Sequence, residues 1–186
     1  MERVENQPPR EKSRRPQLVE NDRAADVEAC REAALKLLDR TRRTRSDLQR
    51  RLKDKGYLLL AIGPALDRLS EVGLVDDAEF ARAWLAGRWG RRPSGWRKLQ
   101  QELRAKGIAD EDIERARAQL AERGGAPDEV ESAAKLVAQA MRRYARLDPR
   151  QQRQRLYALL ARHGYGSDTI RRALEVKDAL ERGQDA

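Results

Sequence analysis

The stretch Asp47-Leu48-Gln49-Arg50-Arg51-Leu52-Lys53-Asp54-Lys55-Gly56-Tyr57 holds the pattern from which the fold follows. Leu48 and Leu52 are four residues apart and share one face of a helix. Gly56, just past the last turn, supplies the left-handed conformation that ends it. Tyr57 can then pack back against the helix it follows. The pattern returns at Leu99, Leu103, Gly107 and Ile108, and again at Leu156, Leu160, Gly164 and Tyr165. Six residues past each glycine stands an isoleucine, Ile62, Ile113 and Ile170, placed to begin the apolar face of the next helix. The marks are 51 and then 57 residues apart. Periodicity of about 50 residues indicates stacked supersecondary units.

Working outward, each unit reads as three helices. In the first, helix one covers about 25–40, with Ala29, Ala33, Leu37 and Arg40 on one stripe and Leu35 and Leu38 beside it. Thr44 is placed to cap helix two, and Asp47, three positions on, to complete a capping box. Helix three covers about 60–72, where Pro64 fits only if it lies in the first turn. In the second unit Asp76 opens helix one, Phe80, Ala81, Trp84 and Leu85 form its buried face, and Asp110 caps helix three. A break at Gly124, Gly125 and Pro127 precedes the third unit. There Asp128 starts a long helix carrying Ala133, Leu136, Val137, Ala140 and Tyr144. Asp148-Pro149 is an N-cap followed by proline at the first helical position, and Ser167 caps the last helix. Period-two alternation is absent, so no strand is expected. The predicted organisation is a tail over 1–23 and repeats over 24–73, 74–123 and 124–182. The tail holds Pro8, Pro9 and Pro16 and little to bury, so disorder is expected there. Fraying is expected from Gly183.

Composition narrows the function. Of 186 residues 38% are charged and 39% hydrophobic, which suits thin layers sharing narrow apolar seams rather than one thick core. The net charge of +9 favours anionic partners. Cys30 is the lone cysteine and His163 the lone histidine, so neither a disulfide nor a Cys/His metal site is expected, and the cytoplasm is the predicted compartment. The longest apolar run, Tyr57 to Ile62, is six residues, too short to cross a bilayer. Cys30 and the Asp76, Asp77, Glu79 group read as a small buried residue and as carboxylates at a helix N-terminus. Nothing assembles a nucleophile, base and oxyanion site. No catalytic residue, cofactor or metal is therefore expected.

The basic residues recur at one place in each unit, the turn from helix one to helix two. Residues 40–55 carry a net +6, 82–98 carry +6 and 142–155 carry +5. Together they exceed the charge of the whole chain, so the remainder is acidic. A charge run is most often a solvated face, and Lys and Arg there can also serve the C-terminal dipole of helix one. Stacked repeats, however, place equivalent positions side by side. The expectation is a basic ridge, with Arg42, Arg43, Arg45, Arg91, Arg92, Arg97, Arg150 and Arg153 as its contacts. Trp84, Trp89 and Trp96 are interleaved with arginines in the second window. Aromatics so placed can stack on bases, but helical spacing from Phe80 favours core packing for Trp84, and inter-repeat packing is favoured for the other two.

Several segments resemble a known family. Leu37-Leu38, Arg40, Arg43-Thr44, Asp47-Leu48, Leu52 and Lys55-Gly56-Tyr57 are similar to the first repeat of the RecX family. Gly73-Leu74-Val75-Asp76-Asp77 followed by Phe80-Ala81 resembles its most recognisable segment. Leu103-Arg104-Ala105-Lys106-Gly107-Ile108 and Arg162-His163-Gly164-Tyr165 resemble its second and third repeat ends. The resemblance implies an all-α, elongated and curved array of three three-helix repeats. It also implies a monomer without a catalytic centre that binds RecA and its filament on single-stranded DNA. Such a protein limits filament growth, ATP hydrolysis and strand exchange. Direct contact with DNA is the accompanying expectation, and an autonomous nucleic-acid-binding module is the competing one.

Overall fold

A computed structural model of the chain describes residues 23–89, 91–126 and 128–184, with side chains as far as 179. The expected tail therefore lies outside the described residues except for Arg23, as do Gly90 and Pro127. The described residues form helices and connections without a strand; Trp89 and Arg92 make one isolated bridge. The first unit contains α1 (Val27–Leu38), α2 (Arg45–Asp54) and α3 (Leu59–Glu71). The second contains α4 (Asp77–Arg88), α5 (Trp96–Arg104) and α6 (Asp110–Glu122). The third contains α7 (Glu129–Tyr144), α8 (Pro149–Arg162) and α9 (Ser167–Gln184). In each unit the first and third helices pack along one another. Three separate apolar clusters result, one per unit.

All twelve apolar residues of the repeating mark, from Leu48 to Ile170, are buried. Each removes a whole apolar side chain from water, worth about 1.5–3 kcal/mol. The three glycines have φ of 100°, 78° and 84° at 56, 107 and 164. Beyond each, the next N–H returns to the carbonyl of the second leucine: Tyr57 to Leu52 at 3.1 Å, Ile108 to Leu103 at 3.4 Å and Tyr165 to Leu160 at 3.2 Å. This is the closure of a helix on a left-handed residue. Hydroxyls then tie two units further: Tyr57 donates to the Ala29 carbonyl at 3.0 Å, and Tyr165 and Ser132 share a 2.8 Å bond. Ile108 makes the apolar contact alone.

Some local expectations are corrected. The buried line of α1 is Ala29, Cys30 and Ala34, while Ala33, Leu35, Leu37 and Leu38 are only partly covered. Pro64 lies in the second turn of α3, which starts at Leu59. The carbonyl that its missing N–H would serve belongs to Leu60, an exposed residue of the first turn. Asp110 is the first helical residue of α6, not its cap; Ala109 holds the cap position and Asp110 binds Arg104 at 2.6 Å instead. Ser167 is likewise the first residue of α9. That helix extends through Gly183 to Gln184.

The units meet at two junctions of the same design. The start of α2 rests on the end of α5, and the start of α5 rests on the end of α8. At the first junction the Thr44 hydroxyl donates to the Lys106 carbonyl at 3.0 Å. At the second, the Gly95 N–H donates to the His163 carbonyl at 2.9 Å, and His163 Nδ1 meets the Pro93 carbonyl at 3.1 Å; since that carbonyl can only accept, Nδ1 carries the proton. A carboxylate completes each junction. Asp77, the first residue of α4, accepts from the Arg45 N–H at 2.8 Å, and Glu129, the first residue of α7, accepts from the Trp96 N–H. Arg45 and Trp96 are themselves first residues of their helices. Each inner second helix thus has its first N–H capped by the following unit, and its dipole lies head to tail with that unit's second helix. Burial at the junction raises the Asp77 carboxyl above its ordinary range, against the lowering effect of the Arg45 N–H.

Contact at the junctions is backbone-close. A β-carbon on Gly107 would lie 2.3 Å from Ser46 Cβ, and one on Gly164 would lie 2.4 Å from Lys98 Cβ. Gly107→Ala is therefore expected to lose about 2–4 kcal/mol in urea unfolding, combining left-handed strain with overpacking. Gly73→Ala, with φ of 72° and open space around it, should lose only about 1–2 kcal/mol. Equal losses would show that the junction is not tight.

Candidate functional site

The second helices start at the junctions, so the arginine clusters collect there. Their side chains do not all point to the same use. Arg43 is 14% exposed; it donates to the Leu37 carbonyl at the end of α1 at 3.2 Å and to Asp47 at 2.9 Å. It serves the helix-one terminus. Arg45 binds Asp67 at 2.6 Å and Ser70 at 3.3 Å. Arg42 is 71% exposed and reaches Glu79 of the second unit at 3.3 Å. Arg91, Arg92, Arg97 and Arg150 are exposed, and none makes an ion pair among the described residues. Arg153 is exposed and paired with Asp178 at 2.8 Å.

Asp47 explains the first cluster. Thr44 caps α2 through the Asp47 N–H at 3.1 Å, but the expected return bond from the Asp47 side chain is not made. That carboxylate instead binds Arg43, Arg50 and Arg51. Burial alone would raise its pKa; the hydrogen bonds from Arg51, Arg43 and Arg50 outweigh this and hold it at about 2. Five of the eight basic residues in the 40–55 window are neutralised by carboxylates, namely Arg42, Arg43, Arg45, Arg50 and Arg51. In the second window Arg82 pairs with Glu79 and Arg88 with Glu102. In the third, Arg153 alone is paired among the described residues. The exposed pairs among these, such as Arg42–Glu79 and Arg45–Asp67, contribute little to stability, about 0–1 kcal/mol each. Their consequence is for availability: windows that look equal in sequence offer unequal free charge.

Sequence reasoning singled out Arg150 and Arg153 in the third unit. The structure adds Arg143, Arg146, Arg155 and Arg162, which line one crevice of about 440 Å³ with Tyr144, Leu147 and Ala158. The count of arginines in the window was the available signal, but their convergence depends on how α7 turns into α8. Trp89 and Trp96 are buried and stacked with centroids 5.5 Å apart, and Arg117 lies 4.4 Å over Trp96. They belong to the core of the second unit itself, not to the packing between repeats that was expected of them. Trp84 is half-buried, with Arg88 at 5.5 Å over its ring. Cys30 is fully buried, and burial pushes its thiol up to about 11, which makes it unreactive. Among the described residues no group of three His, Cys, Asp or Glu is placed to hold a metal ion, and no helix is long and apolar enough to cross a membrane.

Comparison with known proteins decides the family. Three models match in order: the first, second and third three-helix domains of RecX, over residues 30–69, 76–116 and 127–174. The chain belongs to the RecX family. Regulatory protein RecX of Mycolicibacterium smegmatis is 37% identical over 160 residues, covering 83% of this chain and 82% of that one. Its counterpart in Streptomyces coelicolor is 38% identical over 160 residues, covering 86% and 82%. The crystal structure of RecX from Lactobacillus salivarius superposes with a TM-score of 0.74 at 22% identity, over 84% of this chain and 99% of that one, which supports the fold. The expected array of three three-helix repeats is thus confirmed, and RecX relatives are regulatory proteins.

The Asp47 hub gives a pH test. Because its folded pKa lies below the ordinary 3.8, the stability it contributes is complete above that value and lost as pH falls toward about 2. Urea midpoints measured from about pH 4 to pH 2 should fall more steeply for the native chain than for Asp47→Asn. Parallel slopes would mean that the three arginines do not hold the carboxylate.

Proposed function

We propose that this chain is a negative modulator of the RecA recombinase. It binds RecA and its filament on single-stranded DNA, and limits filament growth, ATP hydrolysis and strand exchange. It thereby regulates homologous recombination and DNA repair in the cytoplasm. Membership of a family of regulatory proteins supports this reading. The observation that carries it is the line of units fixed by two like junctions, with exposed arginines recurring along it. Second helices of 9 and 14 residues space the clusters by roughly 14 and 21 Å at about 1.5 Å per residue. A partner that repeats along an axis can meet such clusters several times over. Individually weak contacts then add through effective concentration, but only when the partner is assembled. A ligand with that preference shifts the assembly equilibrium of its partner. The exposed ridge members are Arg42, Arg91, Arg92, Arg97, Arg150 and Arg153, with Arg43 and Arg45 holding the first turn in shape.

The chain should lower the DNA-dependent ATPase of RecA at substoichiometric ratios, with single-stranded DNA in excess so that competition for DNA is removed. Arg91→Glu with Arg92→Glu should weaken that inhibition roughly tenfold, equivalent to about 1.4 kcal/mol. Unchanged ATPase at an equimolar ratio contradicts the proposal.

A further inference from the structure

Between Arg142 and Arg162 the chain carries seven arginines, no lysine and one acidic residue, Asp148. Asp148 is occupied as the cap of α8, accepting from the Gln151 N–H at 3.0 Å. Arg143 lies in the last turn of α7, Arg146 in the connection, Arg155 midway along α8 and Arg162 in its last turn. All four are exposed, and none has an ion-pair partner among the described residues. No carboxylate lines the crevice they share. By contrast, the crevice of about 440 Å³ at the first junction contains Asp47, and Asp47 binds two of the arginines that line it, Arg43 and Arg50.

The free charge continues beyond that crevice. Arg155 and Arg162 are two turns apart on one face of α8, about 10 Å along the axis, with Ala158 between them. Arg162 also lines a neighbouring crevice of about 350 Å³ with Arg97, Lys98 and Tyr157. Tyr157 is 48% exposed. A cationic path therefore runs from the α7–α8 turn, along α8, to the start of α5. It is open along its length and has an aromatic ring beside it.

We propose that this path binds the phosphodiester backbone of a single-stranded nucleic acid, with Tyr157 offering its ring to a base, in the absence of any protein partner. Guanidinium groups meet phosphate through paired donors. A single strand presents both the row of charges and the unstacked bases that such a path takes up. A duplex would hide the base faces from Tyr157. An acidic peptide would use the charge but would need pockets for its other side chains, and the path is open. The proposal goes beyond the recombinase reading and does not require it.

The test is fluorescence anisotropy of a labelled 15-nucleotide oligodeoxythymidylate with the full chain alone, over a range of salt. Arg143→Ala, Arg155→Ala and Arg162→Ala combined should weaken binding at least tenfold. They should also flatten the salt dependence by about 2 in slope, since each lost phosphate contact on a single strand contributes about 0.7. Tyr157→Leu should weaken binding about fivefold or more. Arg50→Ala and Arg51→Ala combined, both held by Asp47, should change affinity less than twofold, and circular dichroism should show unchanged helix in both multiple variants and in Tyr157→Leu. The proposal is overturned if the third-unit triple variant binds as tightly as the native chain. It is also overturned if polyglutamate of equal charge displaces the strand as well as unlabelled oligonucleotide does, which would assign the path to a carboxylate-bearing partner. RecA is absent from the assay, so either result leaves the recombinase reading standing or falling on its own ATPase test.

Discussion

The first N–H of a helix has no partner within the helix, and in this chain the next unit supplies one. Asp77 caps Arg45 and Glu129 caps Trp96, each from the first position of the following unit's first helix. The second helices are thereby held end to end, and the glycines at 107 and 164 permit the approach because they carry no β-carbon. The ends of the array lack the same parts. The first position of α1 is Val27, which cannot cap anything, and the first position of α8 is Pro149, which has no N–H to be capped. The sequence closes the junction chemistry at both ends of the three-unit line.

The same constraint determines where charge can act. Second helices begin at junctions, so the arginines of the preceding turns are brought to the seams between units. Within the first unit they find Asp47 and Asp67, and across the seam Glu79. Further along the chain acidic neighbours thin out, and the guanidinium groups face solvent. The array is thus repetitive in backbone and graded in available charge. A single potential averaged over the molecule would miss this, because +9 is the residue of large opposed terms.

Much of the fold was legible in residues whose role is set by local chemistry. The leucine pairs, the glycines at 56, 107 and 164 and the caps Asp76, Asp128 and Asp148 act within a turn or two of their own position, and all behave as the pattern indicates. The errors arose where a nearby guanidinium competed for the carboxylate. Asp47 has the spacing of a capping box, yet three arginines outbid the backbone N–H it was expected to reach. Asp110 was drawn from the cap to Arg104. The junction carboxylates were visible only as acids near a helix start, since nothing in sequence says that Glu129 meets Trp96, 33 residues away. The crevice of Arg143, Arg146, Arg155 and Arg162 was likewise hidden, because it is made by the angle between α7 and α8.

Native-state amide hydrogen exchange followed by NMR tests the junction chemistry most directly. First-turn amides ordinarily exchange readily because no carbonyl of their own helix covers them. If each unit caps its predecessor, the amides of Arg45 and Trp96 will be strongly protected, while that of Arg150, in the first turn of α8 where no following unit supplies a carboxylate, will exchange near the rate of an open chain. Comparable exchange at all three positions would contradict the account.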